Sequence, residues 1–248
     1  MDEFAIRKGH SYATGVLNAD TGRVLAVTNG RTQEAIQQAL KTVQGNVAYI
    51  VSDLAPAMKK AIEEVFPKAI HVLDRFHVIQ LITDALMRRR YYLDKKGKHQ
   101  TVRHMNRLLT SEPGLLSEED RKQVREWCLQ DDNLSQLYKG LQHIRYVLKS
   151  TSMTQAKRRW NDWVQRFVWN RCSVMRKIVK TLLTKEEAFL SCAFLSLSNG
   201  VMEGTNNKIK LLKRRAYGYR NDVTYPFRNG KHKIKNLSST TYGDEPFF

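Results

Sequence analysis

The sequence has few cysteines, a shortage of acidic residues, and no long apolar run. Its three cysteines, Cys128, Cys172 and Cys192, are widely spaced and odd in number, which argues against a disulfide framework and offers no CxxC metal site. No stretch approaches the roughly 20 apolar residues of a membrane helix, and the segment MDEFAIRKGH does not have the composition of a signal peptide. We therefore expect a cytoplasmic protein without membrane contact.

The shortage of acidic residues leaves a large positive charge. The chain carries 42 Lys and Arg against 24 Asp and Glu, a formal net charge of +18. Such an excess predicts a polyanionic partner, and nucleic acid is the commonest one. At 248 residues with 42% hydrophobic residues, the chain is long enough for one large domain or two small ones with a real core.

Residues 1–74 alternate strand and helix signals. DEFAI, SYATGVLN and RVLAV follow one another across short turns, which predicts three antiparallel strands. QEAIQQALKTV and APAMKKAIEEVF have helical spacing, with Thr32 as N-cap of the first and Pro56 in the first turn of the second. VAYIVS and AIHVL are apolar runs typical of buried, parallel strands. The pattern predicts an α/β fold with a mixed sheet of three antiparallel and two parallel strands.

The strand signals stop at Arg75, and long charged amphipathic segments follow. We predict helices over 75–96, 117–129, 133–149, 153–172 and 174–191, with a break at SEPG. The expected division is a first core part at 1–77, a large all-helical insertion at 78–197, a core helix with a basic face at 198–221, and an irregular tail at 222–248.

Three acids are candidates for a metal site. Asp53 follows an apolar strand and precedes a helix, where open α/β sheets place ligand-binding groups, although its location alone favours an Asx turn or N-cap. Asp2 lies in the first strand, with Glu3 on the opposite face. Glu203 heads a basic helix, where the helix dipole alone favours an acid. If the fold brings Asp2, Asp53 and Glu203 together, their oxygens suit two magnesium or manganese ions that would assist phosphodiester cleavage.

Three further polar residues are candidates for supporting those acids. Asp74 follows a strand and His77 lies one helical turn later, so the two form either a supporting pair near Asp53 or a helix cap with a packed histidine. A zinc site at His77 is disfavoured because no cysteine is near. Asn207 shares a helical face with Glu203.

Basic and aromatic residues alternate in KIKLLKRRAYGYR, a mixture suited to phosphate contacts and base stacking. LMRRRYY and AKRRWNDW repeat the mixture, although a charge run can also be a solvated face. The predicted DNA-contacting residues of the first segment are Lys208, Lys210, Lys213, Arg214, Arg215, Tyr217, Tyr219 and Arg220.

Three segments follow one another along the chain: DEFAIRKGHSYATGVLNADTGRVL, VSDLAPAMKKAIEEVFPKAIHVLDRFHVI and LSNGVMEGTNNKIKLLKRRAYGYRN. Together, and in this order, they resemble the signature blocks of the ISL-three family of bacterial insertion-sequence transposases, a DDE group with an RNase H-like catalytic core. The resemblance implies that Asp2, Asp53 and Glu203 bind two divalent ions, and that the protein cleaves transposon ends and joins the freed 3′-hydroxyl to target DNA. It also implies a homodimer or larger synaptic complex, acting at the bacterial nucleoid.

The chain departs from the family pattern at its start. Family members carry an amino-terminal region with zinc-binding and helix-turn-helix segments, whereas this sequence begins at the first catalytic block. The apolar residues that normally precede Asp2 in its strand are missing as well, so this strand is expected to fray. Two alternatives stay open beside an active transposase domain: an inactive remnant that only binds DNA, and an RNase H-like nuclease without strand transfer.

Overall fold

The computed structural model describes residues 1–7, 11–94, 102–195, 197 and 204. It has a mixed α/β fold, with five strands and nine α-helices in those ranges. The described residues form two compact units, Met1–Ala69 and Ile70–Ser198. The predicted boundaries at residues 77, 197 and 221 stay predictions.

The first unit contains an antiparallel sheet of β1 (Asp2–Arg7), β2 (Ser11–Leu17) and β3 (Val24–Asn29), in that order. In the register, Gly15 lies opposite both Asp2 and Val27. The β2–β3 turn forms because the Asn18 side chain accepts hydrogen bonds from the amides of Asp20 and Thr21, both at 2.9 Å. The three antiparallel strands predicted from the sequence are confirmed.

Two helices and a further strand complete this unit: α1 (Gln33–Lys41), β4 (Tyr49–Ser52) and α2 (Pro56–Val65). Thr32 caps α1 as predicted, because its hydroxyl accepts a hydrogen bond from the Ala35 amide at 3.3 Å. The core lies between the helices and one face of the sheet. Its buried members are Met1, Val16, Ile36, Ala39, Leu40, Ile50, Met58, Ala61 and Ile62.

The second unit begins with a strand and is otherwise helical. Its elements are β5 (Ile70–Leu73), α3 (Arg75–Asp94), α4 (Val102–Thr110), a 3₁₀ turn (Pro113–Leu115), α5 (Glu118–Gln130), α6 (Asp132–Leu148), α7 (Met153–Phe167), α8 (Ser173–Leu183) and α9 (Glu186–Phe194). Aromatic packing organises the core: Trp160 stacks on Trp163 at 5.3 Å between ring centroids, and Phe189 lies 4.4 Å from Trp160. None of the described helices is long and apolar enough to cross a membrane.

Two predicted helices differ from the structure, and one helix was not predicted. The prediction of a single helix over 174–191 is wrong, because α8 ends at Leu183. Lys185, whose backbone is not helical at φ −131° and ψ 25°, then precedes α9. The helix expected to reach residue 172 ends at Phe167, where the Asn170 side chain accepts from the Cys172 amide at 2.9 Å and forms a local turn. α4 was not predicted.

Candidate active site

The first predicted acid, Asp2, begins a paired strand. Asp2 lies opposite Gly15 in the β1–β2 register, and the Met1 nitrogen donates a hydrogen bond to the Val51 carbonyl at 2.8 Å. The expectation that this strand frays is therefore wrong. Because that hydrogen bond lies one residue from Asp2 and two from Asp53, it brings the start of β1 beside the end of β4.

Asp53 directly follows β4 and shapes the entry to α2. Its Oδ1 accepts a hydrogen bond from the Ala55 amide at 2.8 Å, which is an Asx turn. The N-cap of α2, Ala55, has no capping side chain, and Pro56 follows at the first helical position. The Asx-turn interpretation of Asp53 is thus confirmed. It fixes the carboxylate near the end of β4, which is compatible with a metal role.

Glu3 was not among the candidate site residues predicted from the sequence, but its carboxylate lies near those of Asp53 and Asp2. Strand alternation puts it with Met1, on the face opposite Asp2 and Phe4. Burial raises the pKa of Glu3 to about 7, and the negative charges of Asp53 and Asp2 act in the same direction. The only signal in the sequence was the adjacent pair of acids, which does not show that Asp53 comes near.

Arg31 opposes this concentration of negative charge and lowers the pKa of Glu3, but burial and Asp53 outweigh it. Its guanidinium lies 4.3 Å from the centroid of the Tyr12 ring. Gly30 allows this placement because its φ of 97° turns the chain, and its amide donates to the Tyr12 carbonyl at 2.7 Å.

Two of the predicted metal ligands lie in the described part of the chain, and that they hold a metal ion together stays a prediction. Asp2 and Asp53 supply hard oxygen ligands of the kind that magnesium and manganese prefer. The repulsion felt at Glu3 is the kind that a divalent cation would offset. Within the described ranges, no three His, Cys, Asp or Glu side chains are placed to hold a metal ion.

Asp74 and His77 form a pair in the second unit. Asp74 is 5% exposed, and its carboxylate accepts from the Phe76 amide at 3.2 Å and lies 3.1 Å from His77 Nδ1. Asp74 thus caps the first turn of α3, as one of the two interpretations held. That the pair supports Asp53 stays a prediction.

Arg75, which sequence reasoning missed, joins the two ends of the helical block. Its Nε donates to the Cys192 carbonyl at 2.9 Å, and its Nη2 donates to the carbonyls of Ala193 at 3.3 Å and Leu195 at 3.0 Å. Cys192 and Ala193 lie in the last turn of α9 and Leu195 is its C-cap, where helix carbonyls have no further helical amides to bind. One guanidinium therefore fixes the end of α9 to the start of α3. The LDRFH segment gave no signal of this contact.

Several predicted site residues lie outside the part of the chain that the structure describes. They are Glu203, Asn207, Lys208, Lys210, Lys213, Arg214, Arg215, Tyr217, Tyr219 and Arg220. The predicted tail at 222–248 lies outside it as well.

Comparison with known proteins identifies the class. A family model described as Transposase, for the ISL-three group of DDE proteins, matches residues 1–228. The chain therefore belongs to this transposase family, and the resemblance inferred from the three segments is confirmed.

Two curated relatives are transposases of insertion sequences. The chain is 28% identical over 239 residues to the transposase for insertion sequence element IS1001 of Bordetella parapertussis, covering 92% of this chain and 58% of that protein. It is 26% identical over 252 residues to the transposase for insertion sequence element IS1557 of Mycobacterium tuberculosis, covering 89% and 56%. The chain thus spans less than three fifths of the length of these relatives. No solved structure matches it significantly.

Proposed function

We propose that this chain is the catalytic part of a DDE transposase with an RNase H-like core. It would cleave DNA strands at insertion-sequence ends and join the freed 3′-hydroxyl to target DNA. The observation that best supports this is the hydrogen bond from Met1 to Val51, which brings the Asp2 and Asp53 segments side by side in a chain of this family.

In this proposal Asp2, Asp53 and Glu203 hold two magnesium or manganese ions. Such ions, when bound, activate the attacking oxygen and stabilise the leaving oxygen of a phosphodiester. The Asx turn at Asp53 keeps its carboxylate in a fixed orientation before DNA arrives. Asp74, His77 and Asn207 are proposed to orient the metal-binding acids through hydrogen bonds.

The DNA partners follow from the same proposal. The basic residues between Lys208 and Arg220 would bind backbone phosphates, while Tyr217 and Tyr219 would stack on bases. Because two element ends must be processed together, a homodimer or larger synaptic complex would form on DNA. The protein would then act in the bacterial cytoplasm, at the nucleoid.

The test measures DNA strand cleavage and joining in the presence of manganese, and compares the Asp53→Asn and Glu203→Gln variants with the unaltered chain. Asparagine keeps a side-chain oxygen for the Asx turn but removes the charge, so we expect both reactions to fall below detection while the melting temperature stays within a few degrees. Asp20→Asn is the matched control, because Asp20 is an exposed acid in the β2–β3 turn.

The outcomes separate the remaining alternatives. Full activity in either variant would remove that acid from the proposed site. Cleavage without joining by the unaltered chain would indicate an RNase H-like nuclease, and DNA binding without metal-dependent chemistry would indicate a non-catalytic remnant.

A further inference from the structure

Trp169 differs from the other tryptophans of the chain in being almost fully exposed. It lies in the turn between α7 and α8 with 88% of its surface exposed, whereas Trp160 and Trp163, on the preceding helix, are 1% and 0% exposed. The core of this unit buries two other tryptophans, so the exposure of Trp169 is a property of its turn.

The turn is held firmly on both sides of the exposed indole. Phe167 and Cys172 are buried anchors, each 1% exposed. Between them, the Asn170 side chain donates to Gln136 Oε1 at 2.8 Å, and Arg176 donates to the Asn170 carbonyl at 2.7 Å. The backbone that carries Trp169 is therefore already ordered, which lowers the entropy that a partner would lose on binding there.

The surroundings of Trp169 carry positive charge. Trp169 lines an open depression of about 440 Å³ on the protein surface. The exposed side chains of Arg166 and Arg171 line it as well. Asp132 also lines it, and its Oδ1 accepts from Gln136 Nε2 at 3.1 Å. Two guanidinium groups against one carboxylate leave the depression cationic, which favours an anionic ligand with a flat ring.

We propose that this turn is a contact site for an unpaired DNA base, on which Trp169 stacks while Arg166 and Arg171 bind the neighbouring phosphates. An indole between two arginines suits unpaired DNA because every base presents a flat π-face and every linkage a phosphate. Bases inside a duplex are stacked on one another and hide those faces. The inference rests on the proposed function only in taking DNA as the partner.

The test compares two DNA ligands with the same number of phosphates. One is a duplex with a five-nucleotide single-stranded tail, and the other has abasic sites throughout that tail. We expect the full chain to bind the tail with bases about 5- to 100-fold more tightly, and Trp169→Ala to lose that preference. Trp169→Phe should keep most of it, because an aromatic ring remains.

Leu115→Ala is the matched control, since Leu115 is 81% exposed and also apolar. It should keep the preference for bases. Arg166→Ala and Arg171→Ala should each weaken the binding of both DNA ligands equally. Each should also lower the slope of log affinity against log salt concentration by about one.

Three results would overturn the inference. In the first, Trp169→Ala keeps the full preference for bases. In the second, Trp169→Ala changes the oligomeric state in sedimentation while leaving DNA binding intact, which would make this turn a protein contact. In the third, the unaltered chain binds neither ligand, which would remove the proposed DNA function as well. The first two leave the proposed function standing.

Discussion

Glu3 shows how burial and charge at a single residue link the candidate site to stability. The pKa of Glu3 is about 7 in the folded chain against 4.5 for an ordinary glutamate. Folding therefore takes up a proton between these values, so the free energy of unfolding falls as pH rises through this window. Above it, the fold bears the full cost of a charged carboxylate beside Asp53 and Asp2.

We expect Glu3→Gln to stabilise the chain in metal-free buffer at pH 8 by about 1–2 kcal/mol, well below the full conversion of the shift because Glu3 is partly exposed. Its stability should also change less between pH 5 and pH 8, as measured by urea denaturation. Glu63→Gln, an exposed change on α2, should reproduce the pH dependence of the unaltered chain. Equal pH slopes for Glu3→Gln and the unaltered chain would contradict the raised pKa.

The acids also show what the sequence could predict about the site. The Asx turn at Asp53 could be predicted from the position of this residue between a strand and a helix. Strand and helix signals are local, and an Asx turn involves only the next two residues. The state of Glu3 was not predictable, since it depends on burial and on charges from Asp53 and Arg31, which are distant in sequence. Local rules locate single side chains, but electrostatic coupling needs the fold.

Among the helices, the end of α9 depends on a contact from another element. Arg75 supplies donors to three carbonyls near that end. In Arg75→Ala these carbonyls lose their donors, and we expect a loss of about 2–4 kcal/mol in the free energy of unfolding. Urea denaturation followed by tryptophan fluorescence measures it, because all four tryptophans lie in this unit.

Two further variants make the Arg75 prediction specific. Arg75→Lys keeps the charge but cannot span the three acceptors, so it should lose most of the same stability. Arg158→Ala, at an exposed position on α7, should stay within about 0.5 kcal/mol of the unaltered chain. Unchanged hydrogen exchange at the end of α9 in Arg75→Ala would show that the guanidinium does not hold it.

The helical block also shows where periodicity fails as a guide. An all-helical block after Arg75 was predicted because charged amphipathic segments repeat there. The break between α8 and α9 was missed because TLLTKEEA contains neither glycine nor proline. Tertiary contacts favour the break instead: Lys185 is 6% exposed, and Glu186 accepts a hydrogen bond from the Trp160 indole at 3.0 Å.

For the chain as a whole, the net charge of +18 should dominate the strength of the proposed DNA binding. Neutralising several phosphates releases counterions, so binding weakens with salt whatever the DNA sequence. If six to ten phosphates are contacted, affinity for duplex DNA should fall roughly 10³- to 10⁵-fold between about 50 and about 200 mM salt. Fluorescence anisotropy with a labelled duplex measures this slope.

Charge at the candidate metal site should affect metal binding, whereas charge along the basic segment should affect DNA binding. Lys210→Ala and Arg214→Ala remove predicted phosphate contacts, so each should lower the salt slope by about one. Asp53→Asn without metal should leave that slope unchanged, because Asp53 is proposed to bind cations and not phosphates. If Asp53→Asn instead flattened the slope as the basic variants do, its charge would belong to the DNA-binding surface, and the division between a metal-binding pair of acids and a DNA-binding basic segment would be wrong.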